Sequence, residues 1–279
     1  MSKDPKGLDS GFFVSPEERD PVKAAREPAR PLPKRFYKEA IAGPAEGGYG
    51  VVLDGRPVNT PAKRPLVVPS QPLAEAIAAE WAKQGAAIDP ATMPLTKLVN
   101  SALDGAATQM AEVEAEVAKY AASDLICYRA GEPESLAAAQ SAAWDPLVAF
   151  ARDRLGARLA LAEGVMFIEQ PQAALDAIAR ALRAYVGEGA GAPARLAALS
   201  VMTTLTGSAV IALATALGEI DVAAAWDAAN VDEDWQMRAW SEDAEAMARR
   251  SSRFAEFEAA ATLARHSTPH NRAPVFEAP

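Results

Sequence analysis

Three consecutive acids, Asp232, Glu233 and Asp234, stand directly before Trp235 and Gln236, and Trp240 is followed by Ser241, Glu242 and Asp243. Paired carboxylates can exchange protons with a substrate or hold a divalent cation. A tryptophan ringed by charge can cover a groove or seat a partner. The stretch has a helical pattern. At about 100° per residue, Asp232, Gln236, Ala239, Trp240, Asp243 and Met247 share one side of it, and Trp235 points elsewhere among Arg238, Glu242 and Arg249. Adjacent acids on a helix spread over a wide arc, which is poor geometry for a shared metal. Asp232 and Asp243 could pair for acid–base work, but surface acids at helical spacing are usually just solvated. The alternative for the two rings is that they cap the core of a helical domain. As a working surface, the candidate partner-binding residues are Asp232, Glu233, Asp234, Trp235, Gln236 and Trp240.

The rest of the chain offers little other chemistry. Cys127 lies in the apolar run LICYR and reads as a buried bystander. His266 and His270 both fall in the polar C-terminal region. The glycines of GEGAGAP follow a helical pattern rather than a strand, so they do not form a phosphate cradle. GxxxxGK[ST], GxSxG, HExxH and CxxC are all absent. No catalytic residue, metal or cofactor is expected. With a formal charge of −9, the chain is a poor partner for nucleic acid, whose phosphates need clustered Lys and Arg. A basic surface on a protein partner suits it better. A single cysteine excludes an intrachain disulfide and fits a reducing compartment. No apolar run is long enough to span a membrane, and the N-terminus lacks a secretory pattern. The expectation is a cytoplasmic protein without membrane insertion, and a monomer.

Helices must position those acids. Residues 1–30 are polar, charged and proline-rich, and read as a disordered or extended arm in which Phe12 and Phe13 could dock. Residues 31–70 form short segments parted by Gly and Pro. Val51–Leu53 and Arg56–Val58 flank Asp54–Gly55, a hairpin signal because both turn positions favour positive φ. This predicts a small antiparallel β-domain, too small to stand alone. Residues 71–268 read as an α-helical domain and 269–279 as a frayed tail. The fold class is α+β. Ser70 can cap the first helix, on which Leu73, Ile77 and Trp81 form a stripe. Trp81 is therefore a structural residue, buried against the β-unit. Pro146 should kink or split a long helix that follows Pro133. Residues 158–169 suggest a hairpin or loop. Ala194–Leu217 reads as one buried helix with Gly207 inside it. That glycine costs about 1 kcal/mol relative to alanine, and marks a close approach or a bend. Asp221 caps the next helix, and a last one carries the acids on to about Arg265.

Several strings converge, in order, on one family: RFYKEA (35–40), GYGVVLDGRPVNTPAKRPLVVP (48–69), AIAAEWAKQ (76–84), MPLTKLVNSALD (93–104), SDLICYRA (123–130), QSAAWDPL (140–147), LTGSAVIALA (205–214) and DEDWQMRAWSEDAEA (232–246). Over about residues 34–250 the chain resembles the ATP synthase assembly chaperones that bind the α subunit of the catalytic head. The resemblance implies a β-domain followed by an α-domain. It also implies a non-enzymatic role, holding the free α subunit until it pairs with β. It further implies that one acid of Asp232, Glu233 and Asp234 matters for activity, and that Trp81 is structurally sensitive. Family members usually read Trp-Gly-Glu-Asp where Ser241 stands here, so a glycine hinge at that point is not expected. A different class remains open on the residues alone: a small-molecule enzyme with a pocket between the β- and α-units, using acids of the last helix.

Overall fold

The structure is a computed structural model that describes residues 31–164, 166–239 and 244–267. Its contacts divide the chain into two compact units, one ending at Thr108 and one beginning at Gln109. The fold is α+β: an antiparallel sheet near the N-terminus, then helices.

In the first unit, β1 (Ala40–Ala45) and β2 (Gly48–Leu53) pair antiparallel along their whole length. The Asp54–Gly55 turn then returns the chain into β3 (Arg56–Pro57), with Leu53 opposite Arg56. Both turn residues have positive φ, 48° and 80°, as a two-residue hairpin requires. β4 (Val67–Val68) also pairs with β2, which is thus the central strand. Pro57 lies in the short strand β3, at the edge.

The sheet is covered by α1 (Gln71–Ala82), whose stripe Leu73, Ile77 and Trp81 is fully buried. Ser70 holds the N-cap position but its hydroxyl makes no capping bond; the Pro72 ring opens the helix instead. The next helix, α2 (Pro94–Asp104), lacks a side-chain cap of its own. Glu80 of α1 supplies one, accepting from Leu95 N at 2.8 Å and Thr96 N at 2.7 Å. Burial raises the Glu80 carboxyl above its usual range, against those bonds. The expected domain boundary at residue 70 therefore lies inside the first unit, because α1 buries its stripe on the sheet and Glu80 fixes α2 to α1.

The second unit is helical. Its elements are α3 (Met110–Tyr120), α4 (Glu134–Arg154), α5 (Gln172–Val186), α6 (Ala192–Thr206), α7 (Ala209–Leu217), α8 (Val222–Ala229), α9 (Val231–Ala239) and α10 (Ala244–Ser267). Two expectations are corrected. The apolar stretch 194–217 is two helices. Gly207 ends α6 in the left-handed region at φ 67°, and the Ser208 hydroxyl caps α7 by accepting from Ile211 N at 3.0 Å. Pro146, by contrast, does not split α4, which runs on through it. Of the hairpin or loop expected over 158–169, the described residues form the loop. Tyr128–Arg129 (β5) pairs in parallel with Ala162–Glu163 (β6), and the Gln170 side chain closes the loop with two 2.9 Å bonds to Ala160. The arm 1–30, the tail 269–279 and residue 268 before it lie outside the described residues.

Candidate functional site

The acidic stretch is held by α4. Three polar ties join them in antiparallel order. Trp235 Nε1 donates to Ser135 Oγ at 3.2 Å, Gln140 Nε2 to Asp232 Oδ1 at 2.7 Å, and Trp144 Nε1 to Ala228 O at 2.7 Å. On α4 Gln140 and Trp144 stand one turn apart, with Ser135 nearer the start of the helix, and on α8–α9 residues 228, 232 and 235 recur at helical spacing. Gln140 is 3% exposed and its Oε1 also accepts from Ala130 N at 2.7 Å, so both ends of the amide are used. Arg129 stacks over the Trp144 ring and pairs with Asp145.

Beside these ties a groove of about 740 Å³ opens between α4 and α8. Ala142, Pro146, Leu147 and Phe150 form one wall, and Ile220, Ala224 and Val231 the other. Its ionisable lining is wholly acidic: Glu219, Asp227 and Asp234, with Trp235 at the edge. A smaller hollow of about 310 Å³ lies between α8 and α10, lined by Trp226, Met247, Arg250 and Phe254, and Asp227 borders both.

The structure separates the three acids. Asp232 is turned to Gln140. Glu233 is exposed, with its carboxylate 3.9 Å from Arg250 Nη1. Asp234 lines the groove and pairs with Arg250 Nη2 at 2.6 Å. Gln236 is exposed. Trp240, Ser241, Glu242 and Asp243 lie outside the described residues. Asp232 and Trp235 are thus placed by bonds to α4 rather than left free. Among the described residues no three His, Cys, Asp or Glu side chains gather as metal ligands.

Sequence reasoning misses three residues. Gln140 passes as one more polar helical position; its isolation on an otherwise apolar stripe is the available signal. Asp227 passes as a solvated acid. Asp124 draws no notice, although an acid beginning the run DLICYR can signal a capping role. It is wholly buried and accepts from Ile126 N at 3.3 Å and from Val210 N at 3.1 Å, in the first turn of α7. Burial pushes its carboxyl up to about 6, opposed by those bonds and by the Ser208 hydroxyl. Cys127 is fully buried, and burial with the nearby Asp124 charge pushes its thiol up to about 12. At neutral pH it stays a thiol and is no nucleophile.

What this arrangement can do chemically is bind: an apolar slot with an acidic edge, set on helices cross-tied at the base. No helix among the described residues is long and apolar enough to cross a membrane.

Comparison with known proteins agrees with a binding role. Residues 34–152, which include the α4 wall of the groove, match the family described as ATP12 chaperone protein. The Atu1473 protein of Agrobacterium tumefaciens, a putative chaperone, is similar at 42% identity and a TM-score of 0.79, over 92% of this chain and 94% of its own. Atp12 of Paracoccus denitrificans is similar at 36% identity and a TM-score of 0.75, over 85% of this chain and 99% of its own. Identity and coverage at that level reach beyond a shared fold: the chain belongs to the ATP12 chaperone family, whose members are ATP synthase assembly chaperones.

Proposed function

We propose that this protein binds the free α subunit of the ATP synthase catalytic head and keeps it from aggregating until it pairs with β, acting as a monomer and without catalysis. The observation that carries this reading is the groove between α4 and α8, apolar along both walls and edged by Asp234 and Trp235. An unpaired subunit exposes an apolar interface that would otherwise self-associate. A slot of about 740 Å³ is in the range that proteins use to bury apolar ligand groups. Tryptophan at its edge is among the residue types most enriched at interface hot spots. The exposed Glu233, with Gln236 nearby on the same helix, would act mainly on association rate, through electrostatic steering. Asp232 contributes by holding α9 in place. Trp240, outside the described residues, is proposed as a further contact.

The test is recovery of the tagged full chain from source cells during enzyme assembly. The α subunit should co-purify in stoichiometric amount and without β. Recovery of β alone, or of the assembled head, would sink the reading.

A further inference from the structure

Of the three carboxylates that line the large groove, two already have cations. Glu219 pairs with Arg154 at 2.8 Å and Asp234 with Arg250 at 2.6 Å. The Asp227 carboxylate has no hydrogen-bond or ion-pair partner among the described residues, and the residue is exposed. It also occupies an unfavourable place for an acid. It stands in the last turn of α8, where the aligned peptide dipoles already concentrate negative charge. A lysine or arginine there would favour the helix; an aspartate does not. Its position is set by rigid neighbours. One residue on, Ala228 O accepts the bond from the buried Trp144 ring, and one residue earlier Trp226 O accepts from both nitrogens of Asn230. The unmatched charge therefore stands on a fixed ridge, with apolar walls on one side and the Trp226–Phe254 hollow on the other.

We infer that the groove takes a stretch of client polypeptide in which apolar side chains adjoin a lysine or arginine, and that Asp227 receives the cation. The apolar side chains lie against Leu147, Phe150 and Ile220, and the basic group crosses the ridge to the Asp227 carboxylate. The one uncompensated charge among the described lining residues is negative, so an acidic flank is disfavoured where a basic one is accepted. This inference rests on the proposed chaperone reading only in taking the occupant to be polypeptide.

The experiment uses the full chain and two fluorescent probe peptides, identical in length and leucine positions, one flanked by lysines and one by glutamates. Binding is followed by anisotropy for the wild type, Asp227→Asn and Asp227→Lys, with melting temperatures recorded alongside. The wild type should bind the lysine-flanked peptide at least about tenfold more tightly than the other, a gap that narrows with added salt. Asp227→Asn should narrow the gap, and Asp227→Lys should reverse it with no fall in melting temperature. Equal binding of the two peptides, or a preference unmoved by Asp227→Lys, overturns the inference. A parallel arm measures retention of isolated α subunit in solution. Discrimination between the peptides without retention of α leaves the groove chemistry standing and removes the α subunit as client. Retention of α without discrimination does the reverse.

Discussion

Gln140 Nε2 and Asp232 Oδ1 lie 2.7 Å apart, and this bond joins the middle of α4 to the first turn of α9. The amide is buried, and its other end is taken by Ala130 N. Removing the acceptor leaves a buried N–H donor unmatched, which costs about 1–3 kcal/mol. Asp232→Ala should lower unfolding free energy by that amount in denaturant titration. Glu233→Gln, one residue on and exposed, should change it by no more than about 0.5 kcal/mol. Equal effects at the two positions would mean that the tie carries no stability.

Asp124 gives the fold a pH dependence of definite sign. Its carboxyl rises from an ordinary 3.8 to about 6 when buried, so the folded chain holds that proton more tightly than the unfolded one. The stabilisation is fully present below the unfolded value and is lost as pH rises through about 6. Its size is about 3 kcal/mol, since moving a pKa by one costs about 1.4 kcal/mol. Asp124→Asn does not titrate. Measured against it, the wild type should lose most of that stabilisation between about pH 4 and pH 7. A constant difference over that window would contradict the burial as described.

Trp81 holds the core of the first unit together. It is 1% exposed, its carbonyl accepts from Tyr37 Oη at 2.7 Å, and the two rings meet edge to face. Trp81→Arg places an unpaired charge in that core, a loss of several kcal/mol. The expected result is insoluble protein on expression. A soluble variant with an unchanged melting temperature would show that the sheet and α1 do not depend on this ring.

Gly207 stops α6 in a left-handed conformation, with φ at 67°. A Cβ there would lie 3.8 Å from the Leu125 Cβ, an ordinary contact, so the cost of Gly207→Ala is conformational rather than steric. It should be about 1–2 kcal/mol, read from chemical denaturation. A neutral or stabilising effect would mean that the α6–α7 break tolerates a right-handed residue.

Where local chemistry dictates structure, the sequence is readable. Asp54–Gly55 specifies its turn, Asp221 its cap, and the Leu73–Ile77–Trp81 spacing its buried stripe. Gly207–Ser208 misleads because a long apolar run outweighs a stop-and-cap pair within it, although a glycine followed by serine is itself a boundary signal. Pro146 misleads in the other direction: it removes one backbone donor, yet α4 continues on both sides of it from Glu134 to Arg154. Tryptophan and acids mark the candidate surface, but not the role of each acid. Whether an acid is free or tied depends on partners such as Gln140 and Arg250, distant in the chain, and no spacing rule reaches them. The groove itself is made by α4 meeting α8, a pairing visible only in three dimensions.

If the groove between α4 and α8 holds the client, Ala142 offers a way to close it. Ala142 is exposed on α4 and lines the slot, so Ala142→Trp fills it while removing no contact from the core. The measurement is light scattering of isolated α subunit diluted from denaturant, with an equimolar amount of the wild type or of Ala142→Trp, each checked for melting temperature. The wild type is expected to keep α in solution, and the variant, folded equally well, is expected not to. Equal protection by a stable Ala142→Trp, or none by the wild type, would contradict a client-holding groove.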